Sequence, residues 1–169
     1  AQDLGQPAHP LDEAAAAIDR MELRVLVTGE VNRGKSTFLN ALIGTKLFPP
    51  RASVCTAVLT CLRDGTPPRG RLRLRNGESQ DFRLEEDPSK QLLEVVGKKN
   101  PNAAQLAAVE LWFPNDYARD GVVIIDTPGV NDREEWRERV TIEALGHSDA
   151  VLFLLDAQKP LTASEMSFL

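Results

Sequence analysis

Residues 29–36 read Gly-Glu-Val-Asn-Arg-Gly-Lys-Ser, which satisfies G-x-x-x-x-G-K-[ST] at every fixed position. An apolar run, LRVLVT, leads into this loop. After it, Phe38, Leu39, Leu42 and Ile43 recur at helical spacing over residues 34–43. A strand, a tight glycine loop and a helix in that order leave the chain few ways to fold. The glycines let backbone N–H groups turn inward on phosphate oxygens, and the positive end of the helix adds to the attraction. The spacing therefore marks Gly29, Glu30, Asn32, Arg33, Gly34, Lys35, Ser36 and Thr37 as the expected phosphate-binding residues. Lys35 should reach the terminal phosphates, and the Ser36 hydroxyl should ligate Mg2+.

The rest of the chain continues the alternation. Residues 54–62 are strand-like, and RGRLRLRNGESQDFRLEE alternates about Asn76-Gly77, a hairpin signal. Residues 88–97 read as helix, VELWF as strand, and GVVIID and AVLFLLD as inner strands with a helix over 133–145 between them. Thr162 and Glu165 stand in capping-box spacing ahead of a last helix. Residues 1–22 form a lead-in, with a docking helix whose face is Leu11, Ala14, Ala15 and Ile18. Residues 23–169 then make one α/β domain with a doubly wound, mostly parallel sheet flanked by helices. In such a sheet, ligands bind at the carboxyl ends of the strands.

Two further elements fall at those ends. Asp126-Thr127-Pro128-Gly129 closes an apolar strand, so Asp126 is expected to hold Mg2+ through a water and the Gly129 N–H to meet a γ-phosphate. This form of the motif points to GTP rather than ATP. A threonine between the two motifs should complete the Mg2+ shell when the γ-phosphate is present. Thr45, Thr56 and Thr60 are the candidates, and Thr56 is preferred because it follows the irregular stretch 44–53 and opens a strand.

Bulk properties set outer limits. A net charge of -5 disfavours a dedicated nucleic-acid binder. Cys55 and Cys61 share one strand face but lie about 20 Å apart along it, too far for a disulfide, so both are expected as reduced, buried thiols of a cytoplasmic protein. No stretch has the length and apolarity of a membrane span.

The segments GEVNRGKSTFLNALIG, LFPPRASVCTAVLT, VELWFPNDYARDGVVIIDTPGVND and SDAVLFLLDAQKPLTASEMSFL together resemble the dynamin superfamily, in its bacterial dynamin-like branch. The resemblance covers residues 22–169. It implies a G domain that binds GTP/GDP with Mg2+, hydrolyses GTP, self-associates through its nucleotide face, and works at the periphery of a membrane through segments outside this chain. Ras-type GTPases orient the attacking water with a glutamine after the motif glycine, whereas here that residue is Val130. The resemblance accordingly assigns catalysis to Asn32, Lys35, Thr56 and Gly129, with Asn32 placed to ligate K+. In relatives that use a phosphate-loop arginine, the arginine stands one position earlier than Arg33, which favours a structural or surface role for Arg33.

The [NT]-K-x-D guanine motif is missing: no lysine has aspartate two residues on. The expectation is thus the N-terminal part of a G domain, incomplete at its C-terminal side. An Era-like GTPase of ribosome assembly and a non-hydrolysing, nucleotide-dependent interaction module remain alternatives.

Overall fold

A computed structural model of the chain describes residues 21–49, 58–97, 100, 103–128 and 135–168. The docking helix expected from Leu11, and with it the 1–22 boundary, lies outside the described residues except for Met21 and Glu22, which are irregular chain. The elements, in order, are β1 (Leu23–Thr28), α1 (Lys35–Ile43), β2 (Leu59–Arg63), β3 (Arg69–Leu74), β4 (Ser79–Arg83), α2 (Pro88–Val96), a 3-10 turn (Ala103–Gln105), β5 (Leu106–Trp112), β6 (Val122–Asp126), α3 (Glu135–Leu145), β7 (Ala150–Phe153) and α4 (Ala163–Phe168).

Local chemistry explains most boundaries. Helix α1 runs between two left-handed glycines, Gly34 and Gly44. Asp87 caps α2 by accepting from the Lys90 N–H at 3.0 Å, with Pro88 in the first turn. The β3–β4 hairpin turns at Asn76-Gly77, where the Asn76 side chain accepts the Glu78 N–H at 3.0 Å. At α4 the capping box forms as spaced. The Thr162 N–H donates to Glu165 Oε2 at 2.8 Å, and the Glu165 N–H donates to Thr162 Oγ1 at 3.3 Å.

The strands form one sheet in the order β4-β3-β5-β2-β6-β1-β7. Strand β1 is parallel to β6 and β7, and β2 is parallel to β5; the pairs β2–β6, β3–β5 and β3–β4 are antiparallel. The sheet is doubly wound as expected and mixed in direction, because β2 runs antiparallel to β6 and the β3–β4 hairpin adds further antiparallel pairs. β6 is an inner strand. β7, also expected inside, is at the sheet edge among the described residues, with Val151 and Leu152 44% and 43% exposed. An apolar run signals apolar surroundings, and composition does not say which neighbours supply them.

Alternation splits the core between the two faces. On one, Val27, Leu62, Val109, Leu111 and Ile124 pack with Leu39 of α1 and Leu92 and Val96 of α2. On the other, Leu26, Val123 and Ile125 pack with Ala144 of α3. Removing a side chain such as Leu39 or Leu62, both fully buried, costs about 2–5 kcal/mol. Beyond α3 the second face becomes ionic. Arg63, Arg69 and Arg71 stand 5.8, 4.5 and 5.5 Å from the Trp112 ring, and Arg73 pairs with Glu110 at 3.1 Å. Cys61 is a free, half-buried thiol rather than a fully buried one, and Cys55 lies outside the described residues.

One consequence governs the site. Because β1 and β6 are parallel neighbours, with Val27 paired to Asp126, the loop after β1 and the motif ending β6 emerge side by side.

Candidate functional site

The loop is built against β7. Where β1 ends, the Thr28 carbonyl accepts the Leu154 N–H at 2.9 Å. Gly29 follows at φ 143°, and a Cβ there would lie 2.5 Å from the Leu154 carbonyl oxygen, so no side chain fits. Asn32 holds φ 64°, a left-handed conformation uncommon outside glycine. Its side chain is exposed and makes no hydrogen bond among the described residues. The Arg33 N–H closes the turn onto the Glu30 carbonyl at 3.4 Å, Gly34 is left-handed at φ 83°, and α1 begins.

Lys35 is 2% exposed. Its ammonium donates to the carbonyls of Gly29 at 2.5 Å and Glu30 at 2.6 Å. A buried ammonium needs such acceptors, and these two hold it across the mouth of the loop. Ser36, in the first turn of α1, and Asp126, at the end of β6, are both buried. Thr127 donates to the Val27 carbonyl from its N–H at 3.3 Å and from its hydroxyl at 3.1 Å, tying β6 to β1 beside Asp126. The Thr141 hydroxyl donates to the Pro128 carbonyl at 3.2 Å, fixing the next residue of the motif to α3.

This donor set fits Mg2+. Hydroxyl and carboxylate oxygens suit a hard cation, which takes one or two carboxylates and fills its shell with substrate phosphates and water. Among the described residues, no group of three His, Cys, Asp or Glu side chains forms a metal cluster. Thr56, Gly129 and Val130 lie outside the described residues. Of the other threonines considered, Thr45 follows the Gly44 cap and donates its N–H to the Asn40 carbonyl at 3.2 Å, while Thr60 is in β2 and pairs with Asp126. Thr37 is exposed on α1.

Arg33 makes a different set of contacts. Its guanidinium touches Glu30 Oε2 at 2.5 Å, Asp156 Oδ2 at 2.9 Å and Glu165 Oε1 at 3.2 Å. Burial opposes the charge, but the Glu30 hydrogen bond and the three carboxylates outweigh it and hold the pKa above its usual value. A side chain expected among the phosphate-binding residues is therefore committed to carboxylates.

Two features carried no sequence signal. Asp156 and Glu165 reach Arg33 from far along the chain. Asn40, on α1, accepts the N–H groups of Leu47 at 2.9 Å and Phe48 at 2.8 Å and donates to the Phe48 carbonyl at 2.8 Å, so one side chain fixes the turn that leaves the helix.

The loop after β1 and the aspartate of β6 meet on a mixed, seven-stranded α/β sheet, and that combination defines a P-loop G domain. The family model described as Dynamin family matches residues 25–169, and the chain belongs to the dynamin family. A bacterial dynamin-like protein of Nostoc punctiforme is 37% identical over 155 residues, covering 86% of this chain and 22% of that protein. A probable transmembrane GTPase FZO-like, chloroplastic, of Arabidopsis thaliana is 31% identical over 161 residues, covering 94% of this chain and 14% of that protein. The fold is shared with a solved structure of an oligomerised bacterial dynamin pair, at a TM-score of 0.68 and 19% identity, over 94% of this chain and 24% of that one. The chain thus spans less than a quarter of the length of each of these proteins.

Proposed function

We propose that this chain is the GTP-binding and GTP-hydrolysing part of a dynamin-like protein whose nucleotide-dependent self-association drives membrane remodelling or tethering. The observation that carries the reading is the buried Lys35 ammonium, held across the loop mouth by the Gly29 and Glu30 carbonyls, with Ser36 and Asp126 buried on the adjoining elements. In this reading, Lys35 exchanges those carbonyls for the terminal phosphates. The loop N–H groups, including that of Thr37, receive the phosphate oxygens at the start of α1. Ser36 and Asp126 hold Mg2+, with Thr56 completing the shell and the Gly129 N–H meeting the γ-phosphate. Mg2+, when bound, offsets negative charge on the β- and γ-phosphates.

Val130 has no group that can orient water, so turnover depends on another source of stabilisation. Asn32 is exposed in the loop and holds a left-handed backbone that asparagine adopts readily, which leaves its side chain open to a ligand. Asn32 would ligate a K+, which when bound would supply positive charge beside the phosphates, in a site closed by a second G domain. The oligomerised dynamin pair whose fold this chain shares is described as sensing and tethering membranes, which supports self-association and a membrane setting. Among the described residues, no helix is long and apolar enough to cross a membrane. Localisation in the cytoplasm, peripheral to the membrane, follows from the same reading.

The direct test is Lys35→Ala in the full-length protein. Loss of binding of a fluorescent GTP analogue is expected, since the ammonium facing the terminal phosphates is removed. Affinity equal to that of the wild type would overturn the assignment.

A further inference from the structure

Glu30 faces two ways. Its main-chain carbonyl holds the Lys35 ammonium at 2.6 Å. Its carboxylate receives the Arg33 guanidinium at 2.5 Å through Oε2 and the Thr162 hydroxyl at 3.1 Å through Oε1. From Arg33, Nε lies 3.2 Å from Glu165 Oε1, and Glu165 Oε2 accepts the Thr162 N–H at 2.8 Å. Glu30, Arg33, Glu165 and Thr162 therefore close a ring, and Asp156 braces it through the third guanidinium nitrogen at 2.9 Å. Two of the four are in the phosphate loop and two are at the start of α4. Glu165 is fully buried and Arg33 is 16% exposed, so the ring is a packed element rather than a solvated ion pair.

We propose that Arg33 is a positioning residue that couples the phosphate loop to α4, so that nucleotide in the loop and docking of α4 favour one another. The proposal rests on the nucleotide reading given above. A phosphate that draws Lys35 from the Glu30 carbonyl changes the residue whose carboxylate joins Arg33 to the Thr162 hydroxyl, and the ring passes that change to Thr162 and Glu165. Such coupling is reciprocal: whatever holds α4 in place tightens nucleotide binding by the same factor. Arg33 acts here through Glu30 and Glu165 and makes no contact with a phosphate.

The test uses the full-length protein, with amide exchange over residues 163–168 and affinities for GDP and GTP as readouts. GDP is expected to slow exchange in α4 of the wild type. Arg33→Ala and Thr162→Val should each abolish that slowing and weaken GDP and GTP equally, about tenfold. The double variant should be no weaker than the worse single one, since both break one ring. Thr162→Val keeps the side-chain volume and leaves the Arg33–Glu165 pair in place; because it also removes the cap on the Glu165 N–H, the change in α4 exchange on adding GDP, not its basal level, answers the question if Arg33→Ala fails to fold. Exchange in α4 that ignores GDP in the wild type would overturn the coupling. So would an Arg33→Ala variant that loses turnover while keeping wild-type GDP affinity and α4 protection, which is the signature of a phosphate-facing arginine. A wild-type protein that binds neither GDP nor GTP sinks the nucleotide reading as well. Binding that depends on Lys35 but not on Arg33 or Thr162 sinks the coupling alone.

Discussion

Thr60 of β2 stands directly across from Asp126 of β6 in antiparallel register. Paired residues present their side chains on one face of a sheet, so Thr60 shares a face with the carboxylate assigned to Mg2+. Thr56, preferred as the switch residue, comes four residues earlier in the sequence and lies outside the described residues. Thr56→Ala is expected to keep GDP affinity and lower turnover about a hundredfold, since the lost oxygen matters only with a γ-phosphate present. Steady-state GTPase assays beside GDP titrations decide the matter. If Thr60→Ala produces this pattern and Thr56→Ala does not, the residue opposite Asp126 is the switch.

Asn32 and Val130 set the second expectation. Turnover per molecule should rise with protein concentration and should be several-fold faster in K+ than in Na+ or Li+ at fixed ionic strength. Asn32→Ala should remove the cation dependence and spare GDP affinity, because the cation acts on charge that develops in the transition state. A rate indifferent to both cation and concentration excludes the K+ site and the facing-subunit arrangement together.

Gly29→Ala tests the join between loop and sheet. A methyl group there would sit 2.5 Å from the Leu154 carbonyl oxygen, and φ 143° is a region side chains avoid. The backbone of β7 would have to move, at a cost on the order of 3 kcal/mol. Urea unfolding should show that loss as a lower midpoint with an unchanged slope, accompanied by loss of nucleotide binding.

Asn40→Ala removes partners from three main-chain groups of Leu47 and Phe48, both buried. The Leu47 N–H keeps the Thr45 carbonyl at 3.1 Å, but the two Phe48 groups lose their partners in the interior, which should destabilise the fold by about 1–3 kcal/mol, again read from the unfolding midpoint. Fast exchange of the Phe48 amide is expected alongside.

Burial raises the pKa of the Cys61 thiol, with Arg63 only partly opposing it. A raised pKa means less thiolate at any given pH below it, and thiolate is the reactive form. In a Cys55→Ser background, alkylation of Cys61 by iodoacetamide at pH 8 should be slower than that of an unfolded control. Equal rates would show that the thiol is open to solvent.

What the sequence disclosed was whatever is encoded within a few residues. The run into Gly29, the periodicity from Lys35 and the apolar strand ending at Asp126 located β1, α1 and β6. Asn76-Gly77 located the hairpin, and Thr162 with Glu165 located the start of α4. Contacts between distant residues were not disclosed. Nothing near Arg33 announces Asp156, 123 positions away, and an apolar run such as that of β7 reads alike in the middle of a sheet and at its edge. Asn40 looks like one polar residue on a helix, and its three bonds exist only because the chain doubles back at Gly44.

The placement of β1 has a consequence for the order in which the molecule comes into being. Among the described residues its strand partners are β6 and β7, roughly a hundred residues downstream. The phosphate loop thus leaves the ribosome before either strand that flanks β1, and it gains its walls only after Leu154 has emerged. At elongation rates of about 5–20 residues per second that interval is about 6–25 s. Until β6 follows, the apolar residues of β1 have no strand to join, and the nascent chain must be kept from finding another.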